Sequence, residues 1–324
     1  MHESEVIERL RRIASAPEAR GLTDDVALID GLVVSHDSIA EGVHFFPFDP
    51  PASVGWKLVG VNLSDLAAKG ASPAGALLSL TISGDGEWES EFLTGIEQAC
   101  ESYGLPLIGG DTIALPKGAP RVLGMTVLGR AGEHVPARSG GHAGDVLWLV
   151  GTVGDAACGL QLLLDDAGSA GPLVDSYRRP LPLLGPGQAI APLAHAMMDV
   201  SDGLLLDATR LGDASDCGVE IELAALPLSP AFVEARGDGK GARLFAATGG
   251  DDYVLLAALP PDADPETLCL PQAARITRIG ALTAGGSLSL SWNGAKVELP
   301  ERLGFEHSGK SAEQDPAAPV ADRP

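Results

Sequence analysis

The sequence predicts an α/β protein with layered α+β character, divided into two domains. Short apolar runs typical of strands alternate with longer stretches of helical period, which is the pattern of sheets covered by helices. A length of 324 residues, of which 45% are hydrophobic, suffices for two cores of ordinary size. The composition changes to Arg-Ser-Gly-Gly-His-Ala-Gly near residues 137–145, so we expect domains over residues 1–137 and 138–307.

Local patterns predict the elements of the first domain. Apolar residues at helical spacing indicate a helix over residues 4–15, and Asp30-Gly31 indicates a tight turn between two strands. The stretch Ser53–Lys69 has a broad apolar face and should form a helix that ends at Gly70. The other predicted elements are strands at residues 26–29, 32–35, 76–82, 106–108 and 122–128 and a helix at residues 87–103.

The second domain is predicted to repeat this alternation. A strand at residues 146–150 should lead through a turn into a helix at residues 155–164. Further predicted elements are helices at residues 187–196 and 204–211 and a strand at residues 253–259. From Ser308 the composition becomes typical of disordered chains, so residues 308–324 are expected to form a disordered tail.

The charge balance excludes several classes of partner. Acidic residues number 44 against 22 Lys plus Arg, for a formal charge of −22, which argues against binding to nucleic acid or to an anionic membrane. The N-terminus has no apolar signal core, and no apolar run approaches the roughly 18 residues that a bilayer requires. The four cysteines are far apart and lack zinc spacing. We therefore expect a cytoplasmic protein with reduced thiols.

Six short aspartate-containing segments stand out, most of them at the end of an apolar run. Carboxylates gathered at such positions repel one another unless a cation neutralises them, and hard cations such as Mg²⁺ prefer oxygen ligands. We therefore expect a site for several Mg²⁺ ions. Sites of this kind most often bind phosphate groups. The segments are Asp24-Asp25, Ser35-His36-Asp37, Asn62-Leu63-Ser64-Asp65, Gly109-Gly110-Asp111, Asp199-Val200-Ser201-Asp202-Gly203 and Gly249-Gly250-Asp251-Asp252.

Each segment also has a simpler structural interpretation. Gly-Gly-Asp is common in turns, and Asp202 is well placed to cap a following helix. Arg138 could clamp a phosphate or lie on the surface. Asp65 is the most informative, because it falls inside an apolar helix where a buried unpaired carboxylate is costly. The joint occurrence of the segments, rather than any one of them, indicates the metal site.

One further pattern matches a phosphate-binding motif but lacks the structural context that the motif requires. Residues 304–311 match the P-loop pattern G-x-x-x-x-G-K-[ST], which binds phosphate only between a strand and a helix. The following thirteen residues contain three prolines, which disfavours that helix. We do not expect a P-loop here.

Taken in order, these segments resemble the thiamine-monophosphate kinase family, whose superfamily includes aminoimidazole ribonucleotide synthetase and selenophosphate synthetase. The resemblance runs from about residue 22 to residue 307 and is most specific at Asn-Leu-Ser-Asp-Leu-Ala-Ala (62–68) and Asp-Val-Ser-Asp-Gly-Leu (199–204). It implies the two-domain fold of aminoimidazole ribonucleotide synthetase. It also implies a homodimer in which the N-terminal sheets pair into a shared barrel.

The resemblance implies ATP-dependent phosphorylation of thiamine monophosphate to thiamine diphosphate, by direct transfer without a phosphoenzyme. Asp65 and Asp111 would be catalytic. Contacts to ATP would come from Gly110, Asp111, Arg138 and Ser201, and contacts to thiamine monophosphate from His44, Asp251 and Phe305. The Mg²⁺ ligands would be Asp25, Ser35, Asp37, Asp65, Asp111, Asp199 and Asp202.

Three positions depart from the family pattern. Thr23 precedes the Asp-Asp pair where Gly is usual, His36 stands where Thr is typical, and Asp251 replaces a Glu.

The alternatives to this kinase activity are another activity of the superfamily or, in a different class, a non-catalytic acidic metal-binding scaffold. A scaffold would bind cations without nucleotide. The selenophosphate synthetases carry a reactive Cys near the N-terminus, whereas the first cysteine here is Cys100.

Overall fold

The computed structural model describes residues 3–268, 270 and 274–306. The predicted tail at 308–324 and most of the P-loop-like segment lie outside these residues. The N-terminal half contains α1 (Glu3–Arg11), β1 (Ala27–Ile29), β2 (Leu32–Ala40), α2 (Pro51–Ala68), β3 (Ser72–Ile82), α3 (Gly86–Tyr103), β4 (Leu107–Ala114) and β5 (Val122–Arg130). In the described residues no helix is both long enough and apolar enough to cross a membrane.

The first sheet has the strand order β1-β2-β5-β3-β4, in which only the β3–β4 pair is parallel. Helices α2 and α3 pack on one face of this sheet around a buried core that includes Leu58, Phe92 and Met125. The two helices approach closely at Gly55, where a Cβ atom would lie 2.3 Å from the carbonyl oxygen of Phe92. The helix predicted at 53–69 is therefore confirmed, and Gly70 follows it with a φ of 62°.

The C-terminal half forms a second sheet with the order β11-β10-β6-β9-β7, and β8 pairs with β10. Its elements are β6 (Val146–Val150), α4 (Asp155–Asp165), α5 (Pro172–Arg178), α6 (Leu184–Ile190), β7 (Ala196–Val200), α7 (Leu204–Ala214), β8 (Cys217–Glu222), α8 (Pro230–Arg236), α9 (Lys240–Thr248), β9 (Val254–Leu259), β10 (Ile276–Trp292) and β11 (Ala295–Val297). The predicted α/β class is thus confirmed, with two layered sheets.

Several predicted elements are wrong in extent. The helix expected at 4–15 ends at Arg11, and the strand expected at 32–35 continues to Ala40, so Asp37 lies within β2 rather than at its end. The helix expected at 187–196 ends at Ile190, because a short 3₁₀ turn containing Pro192 follows and the chain then becomes extended. The strand expected at 106–108 continues to Ala114, so Gly109-Gly110-Asp111 lies within β4 rather than in a turn after it.

Helix α2 lies at the junction of the two halves. A Cβ atom on Gly187 would be 2.0 Å from the carbonyl oxygen of Ala67, so α6 packs against α2 as closely as backbones allow. Fourteen residues of α2 are buried, including polar and charged ones. Because both halves bury its side chains, α2 can direct groups towards residues of either half.

Candidate functional site

A cleft of about 590 Å³ opens where the two halves meet. Residues of β2 and α2 line one wall, and residues that follow β7 or precede β9 line the other. The described residues that line it include most of the predicted site positions: Asp25, Ser35, Asp37, His44, Asp65, Asp199, Ser201, Asp202, Asp251 and Phe305. Residues as far apart in the sequence as Asp25 and Phe305 therefore converge on one cleft.

The centre of the cleft is a cluster of carboxylates. Oxygen atoms of Asp25, Asp65 and Asp199 lie within 4.8 Å of one another. Asp65 reaches the cluster from α2 and accepts a short hydrogen bond from the Ser35 hydroxyl. Asp37 is held beside them because its backbone N–H donates to the side chain of Asn62, also on α2, at 2.9 Å.

Burial and mutual repulsion disfavour ionisation of this cluster. Burial, together with the charges of Asp25 and Asp202, raises the pKa of Asp37 from 3.8 to about 6. Burial and the neighbouring Asp25 raise the pKa of Asp199 to about 7. The pKa of Asp65 lies well above its ordinary value for the same reasons. Oxygen donors carrying uncompensated negative charge fit hard divalent cations such as Mg²⁺.

Asp25 differs from the others because basic groups neutralise it. Burial alone would raise its pKa, but Lys69 at 2.8 Å and Arg138, in a short ion pair, hold that pKa below its ordinary value. Lys69 also pairs with Asp24 at 2.6 Å. Thr23, the first departure from the family pattern, is accommodated, since its hydroxyl donates to the carbonyl of Arg20.

A turn after β7 carries Ser201 and Asp202. The backbone N–H groups of residues 201, 202 and 203 all donate to one oxygen of Asp207 on α7, at 3.0–3.2 Å. Arg210 pairs with Asp202 at 2.5 Å and with Asp207 at 2.8 Å. Asp207 thus holds the turn in shape. Asp202 lines the cleft and is already ion-paired with the guanidinium of Arg210.

The far end of the cleft holds the predicted substrate residues. Asp251 accepts from Lys57 at 2.9 Å and from the Tyr253 hydroxyl at 3.2 Å. Lys57 also donates to the carbonyl of His44 and lies 3.9 Å from the ring centre of Tyr177. The backbone N–H of Phe305 donates to the carbonyl of Asp202, which holds Phe305 at the rim.

The structure separates Gly110 and Asp111 from this cluster, contrary to the predicted shared metal site. Asp111 pairs in register with Ser79 on β3, whose exposed side chain lies on the sheet face opposite α2. Strand β4 is an edge strand and all eight of its residues are exposed. Gly110 has a packing role, because a Cβ there would lie 2.0 Å from the carbonyl oxygen of Leu78. Within one chain, Asp111 therefore cannot join Asp65.

His36 also lies on the sheet face opposite α2. Its ring nitrogens contact the hydroxyls of Thr126 at 2.9 Å and Ser38 at 3.2 Å. Ser35 and Asp37, its neighbours on β2, point to the α2 side because side chains alternate along a strand. Replacement of the family's Thr by His thus changes the rim of the cleft and leaves the carboxylate cluster intact.

Sequence reasoning missed four charged residues of the site: Lys57, Lys69, Asp207 and Arg210. Lys57 within α2 and Lys69, which caps the C-terminus of that helix, are almost completely buried, as Asp65 is. A charged residue within an apolar helix was the signal that singled out Asp65, and it applies equally to Lys57. Lys69 stands at the end of the predicted helix, where a basic residue is ordinary, and gives no such signal. Nothing comparable distinguishes Asp207 or Arg210, whose roles depend on the turn after β7.

Comparison with known proteins gives consistent matches along the chain. The family model described as AIR synthase related protein, N-terminal domain, matches residues 23–131, and the corresponding C-terminal domain matches residues 142–293. The chain is 38% identical to thiamine-monophosphate kinase of Escherichia coli K12 over 252 residues, covering 74% of this chain and 76% of the relative. It is 34% identical to the Caulobacter vibrioides enzyme of the same name over 306 residues, covering 90% and 86%.

A solved structure extends the similarity to three dimensions. The structure described as AaThiL complexed with AMPPCP and TMP superposes with a TM-score of 0.82 at 30% sequence identity. The match covers 95% of this chain and 97% of that one. Both sheets and the cleft between them therefore fall within the region of similarity.

Proposed function

Since this chain belongs to the thiamine-monophosphate kinase family and has its AIR synthase related fold, we propose that it phosphorylates thiamine monophosphate to thiamine diphosphate with ATP. The observation that carries the proposal is the convergence of Asp25, Asp65 and Asp199 in a cleft between the two halves. The similar protein complexed with AMPPCP and TMP supports the same pair of substrates. A cytoplasmic location and the domain limits 1–137 and 138–307 remain predictions.

The proposed chemistry follows from charge. Donor and acceptor are both phosphates, and an acceptor phosphate oxygen is already ionised at neutral pH, so no general base is required. Catalysis of phosphoryl transfer rests on positioning and on neutralising charge. When bound, Mg²⁺ would neutralise the phosphates and orient their oxygens. Asp37, Asp65 and Asp199 would hold the metal, with Asp25, Ser35 and Asp202 as further ligands.

The chain's own side chains would then orient the two substrates. The candidates for contacts with ATP are Arg138, which pairs with Asp25, and the backbone at Ser201, which lines the cleft. At the other end, Asp251 and Lys57 form a charged pair that could bind the polar groups of thiamine monophosphate. His44 and Phe305 border the same end and offer rings for packing against the substrate. The in-line, direct course of the transfer is part of this proposal.

The proposal includes a homodimer formed through the first sheet. Helices cover one face of that sheet, while Leu77, Leu107 and Ile113 are exposed on β3 and β4. An exposed apolar sheet face with an open edge strand is a surface that another chain would cover. A second copy could supply Asp111 of the partner subunit to this cleft, whose rim includes His36 and Ser38 on the same sheet face.

Mixing inactive variants tests this arrangement. Asp65→Ala and Asp111→Ala should each lose most turnover at saturating ATP. If each site combines Asp65 of one subunit with Asp111 of the other, a heterodimer of the two variants has one intact site. Random pairing of equal amounts should restore about one quarter of the parental activity. No recovery from verified heterodimers would overturn the shared site, and full activity of Asp111→Ala would remove Asp111 from catalysis.

A coupled assay of ADP formation tests the substrate assignment. The protein should turn over with thiamine monophosphate and should not turn over with thiamine, an aminoimidazole precursor or selenide. The Lys117→Met variant, an exposed change on a loop, serves as a matched control and should keep the parental rate. A chain that binds Mg²⁺ but neither binds nor hydrolyses ATP with any of these acceptors would instead be the acidic scaffold.

A further inference from the structure

A second group of metal-binding side chains lies outside the cleft. His142 and Asp145 belong to the turn before β6, and His195 immediately precedes β7. One ligand atom from each lies within 4.8 Å of the others. The Nδ1 atoms of the two histidines are 3.3 Å apart, and Nδ1 of His195 is 2.9 Å from Oδ2 of Asp145. The third distance, from Nδ1 of His142 to the same oxygen of Asp145, is 3.8 Å.

These distances have the size of a metal coordination triangle. The centre of the circle through the three atoms lies roughly 2.0 Å from each of them, which matches the length of Zn–N and Zn–O bonds in proteins. We propose that His142, Asp145 and His195 form a site for a borderline divalent transition-metal ion such as Zn²⁺, Co²⁺ or Ni²⁺. Two imidazoles and one carboxylate suit such ions, whereas Mg²⁺ prefers oxygen ligands alone.

The backbone fixes all three ligands before any ion binds. The carboxylate of Asp145 is buried and accepts from the backbone N–H of His142 at 2.8 Å. The backbone of Asp145 is held by β10 through a bond from Leu282 N–H, and the backbone of His195 is held through a bond to the carbonyl of Ala258 on β9. The His142 side chain is 70% exposed, which leaves access for an ion and room for water ligands.

This site is separate from the carboxylate cluster. Strands β6 and β7 run in the same direction, since both are antiparallel to β9 between them. The histidine site lies where these strands begin, and Asp199 lies near the end of β7. Four residue steps of a strand separate His195 from Asp199, or roughly 13 Å. One ion cannot bridge the two groups.

A bound ion would fasten the segment between the two family-matched regions to the second sheet. That segment includes Ala137, whose carbonyl accepts from Met197 N–H, and Arg138, which pairs with Asp25. The expected consequence is thermal stabilisation of the full chain by Zn²⁺. The phosphoryl transfer proposed above uses none of these three metal-binding residues.

Visible absorption of Co²⁺ tests the site directly. Full-length chain, stripped with EDTA and kept in excess Mg²⁺ to occupy oxygen sites, should develop a Co²⁺ spectrum that Zn²⁺ abolishes. His142→Gln, an exposed change, and His142→Gln with His195→Gln should weaken Co²⁺ binding at least about tenfold. The Asp199→Asn variant and the His134→Gln control should keep the parental spectrum. The proposal is overturned if the parent gives no spectrum, or if the double variant binds as tightly as the parent.

Discussion

Replacement of Asp199 by Asn should stabilise the metal-free protein at alkaline pH while it removes activity. Asp199 is buried beside Asp25 and Asp65, and no salt bridge to it occurs among the residues that the structure describes. Asn has nearly the same shape and cannot ionise. The substitution therefore removes an unfavourable buried charge from the metal-free state, together with one ligand for the cation.

The sign and size of this effect follow from the pKa. Burial and neighbouring carboxylates raise the pKa of Asp199 from 3.8 to about 7, so the folded state binds more protons than the unfolded state between these values. The stability that this group contributes is present below the ordinary value and is lost as pH rises towards 7. Ionisation costs folding about 4 kcal/mol at pH 8 and less than about 2 kcal/mol at pH 5.

Urea unfolding followed by circular dichroism at pH 5 and pH 8, in EDTA, measures this difference. The stability of Asp199→Asn relative to the parent should rise by about 2–3 kcal/mol between the two pH values. Saturating Mg²⁺ should remove the advantage, because the cation stabilises the parental carboxylate. Asp262→Asn, an exposed change in the loop after β9, is the control and should follow the parent. Parallel pH profiles for Asp199→Asn and the parent would refute the reasoning.

Substitutions at three further positions test other contacts of the structure. Lys57→Met should lower kcat/KM for thiamine monophosphate about tenfold, mainly through KM, because Asp251 loses its cation, and Lys57→Arg should recover part of the loss. Lys69→Met should lower the free energy of unfolding by about 3–5 kcal/mol in urea titrations, since it leaves Asp24 and Asp25 with less compensation. Gly110→Ala should destabilise the protein by about 1–3 kcal/mol, measured the same way, because its Cβ would meet the backbone of Leu78. Unchanged values in these assays would contradict the contacts on which the predictions rest.

Helix α2 illustrates how much of the site the sequence could predict. Its apolar face and the glycine that ends it identify the helix, and Asp65 within it indicates a metal or an ionic partner. The same argument does not reveal which partner each buried charge finds. Lys69 meets Asp24 and Asp25, and Lys57 meets Asp251, which is 194 residues away. Such pairings depend on the packing of both halves around α2.

Strand β4 illustrates the opposite case. Gly-Gly-Asp is typical of a turn, and local pattern alone therefore predicts that the strand ends before Asp111. In the structure, Gly110 is required because the strand passes close to the backbone of Leu78, so the glycine extends β4 instead of ending it. Only the register with β3 shows which face of the sheet Asp111 occupies, and register is a tertiary property.

Ion pairing divides the carboxylates of the cleft into two groups with different consequences for metal binding. Asp25, Asp202 and Asp251 each have a basic partner within 2.9 Å. In the part of the chain that the structure describes, Asp37, Asp65 and Asp199 form no salt bridge, and all three have raised pKa values. A Mg²⁺ ion should bind most strongly to the second group, because no basic side chain in the described residues neutralises these carboxylates. Ligation by Asp25 or Asp202 must instead compete with Lys69, Arg138 or Arg210, so these carboxylates should contribute less to Mg²⁺ affinity than Asp65 or Asp199.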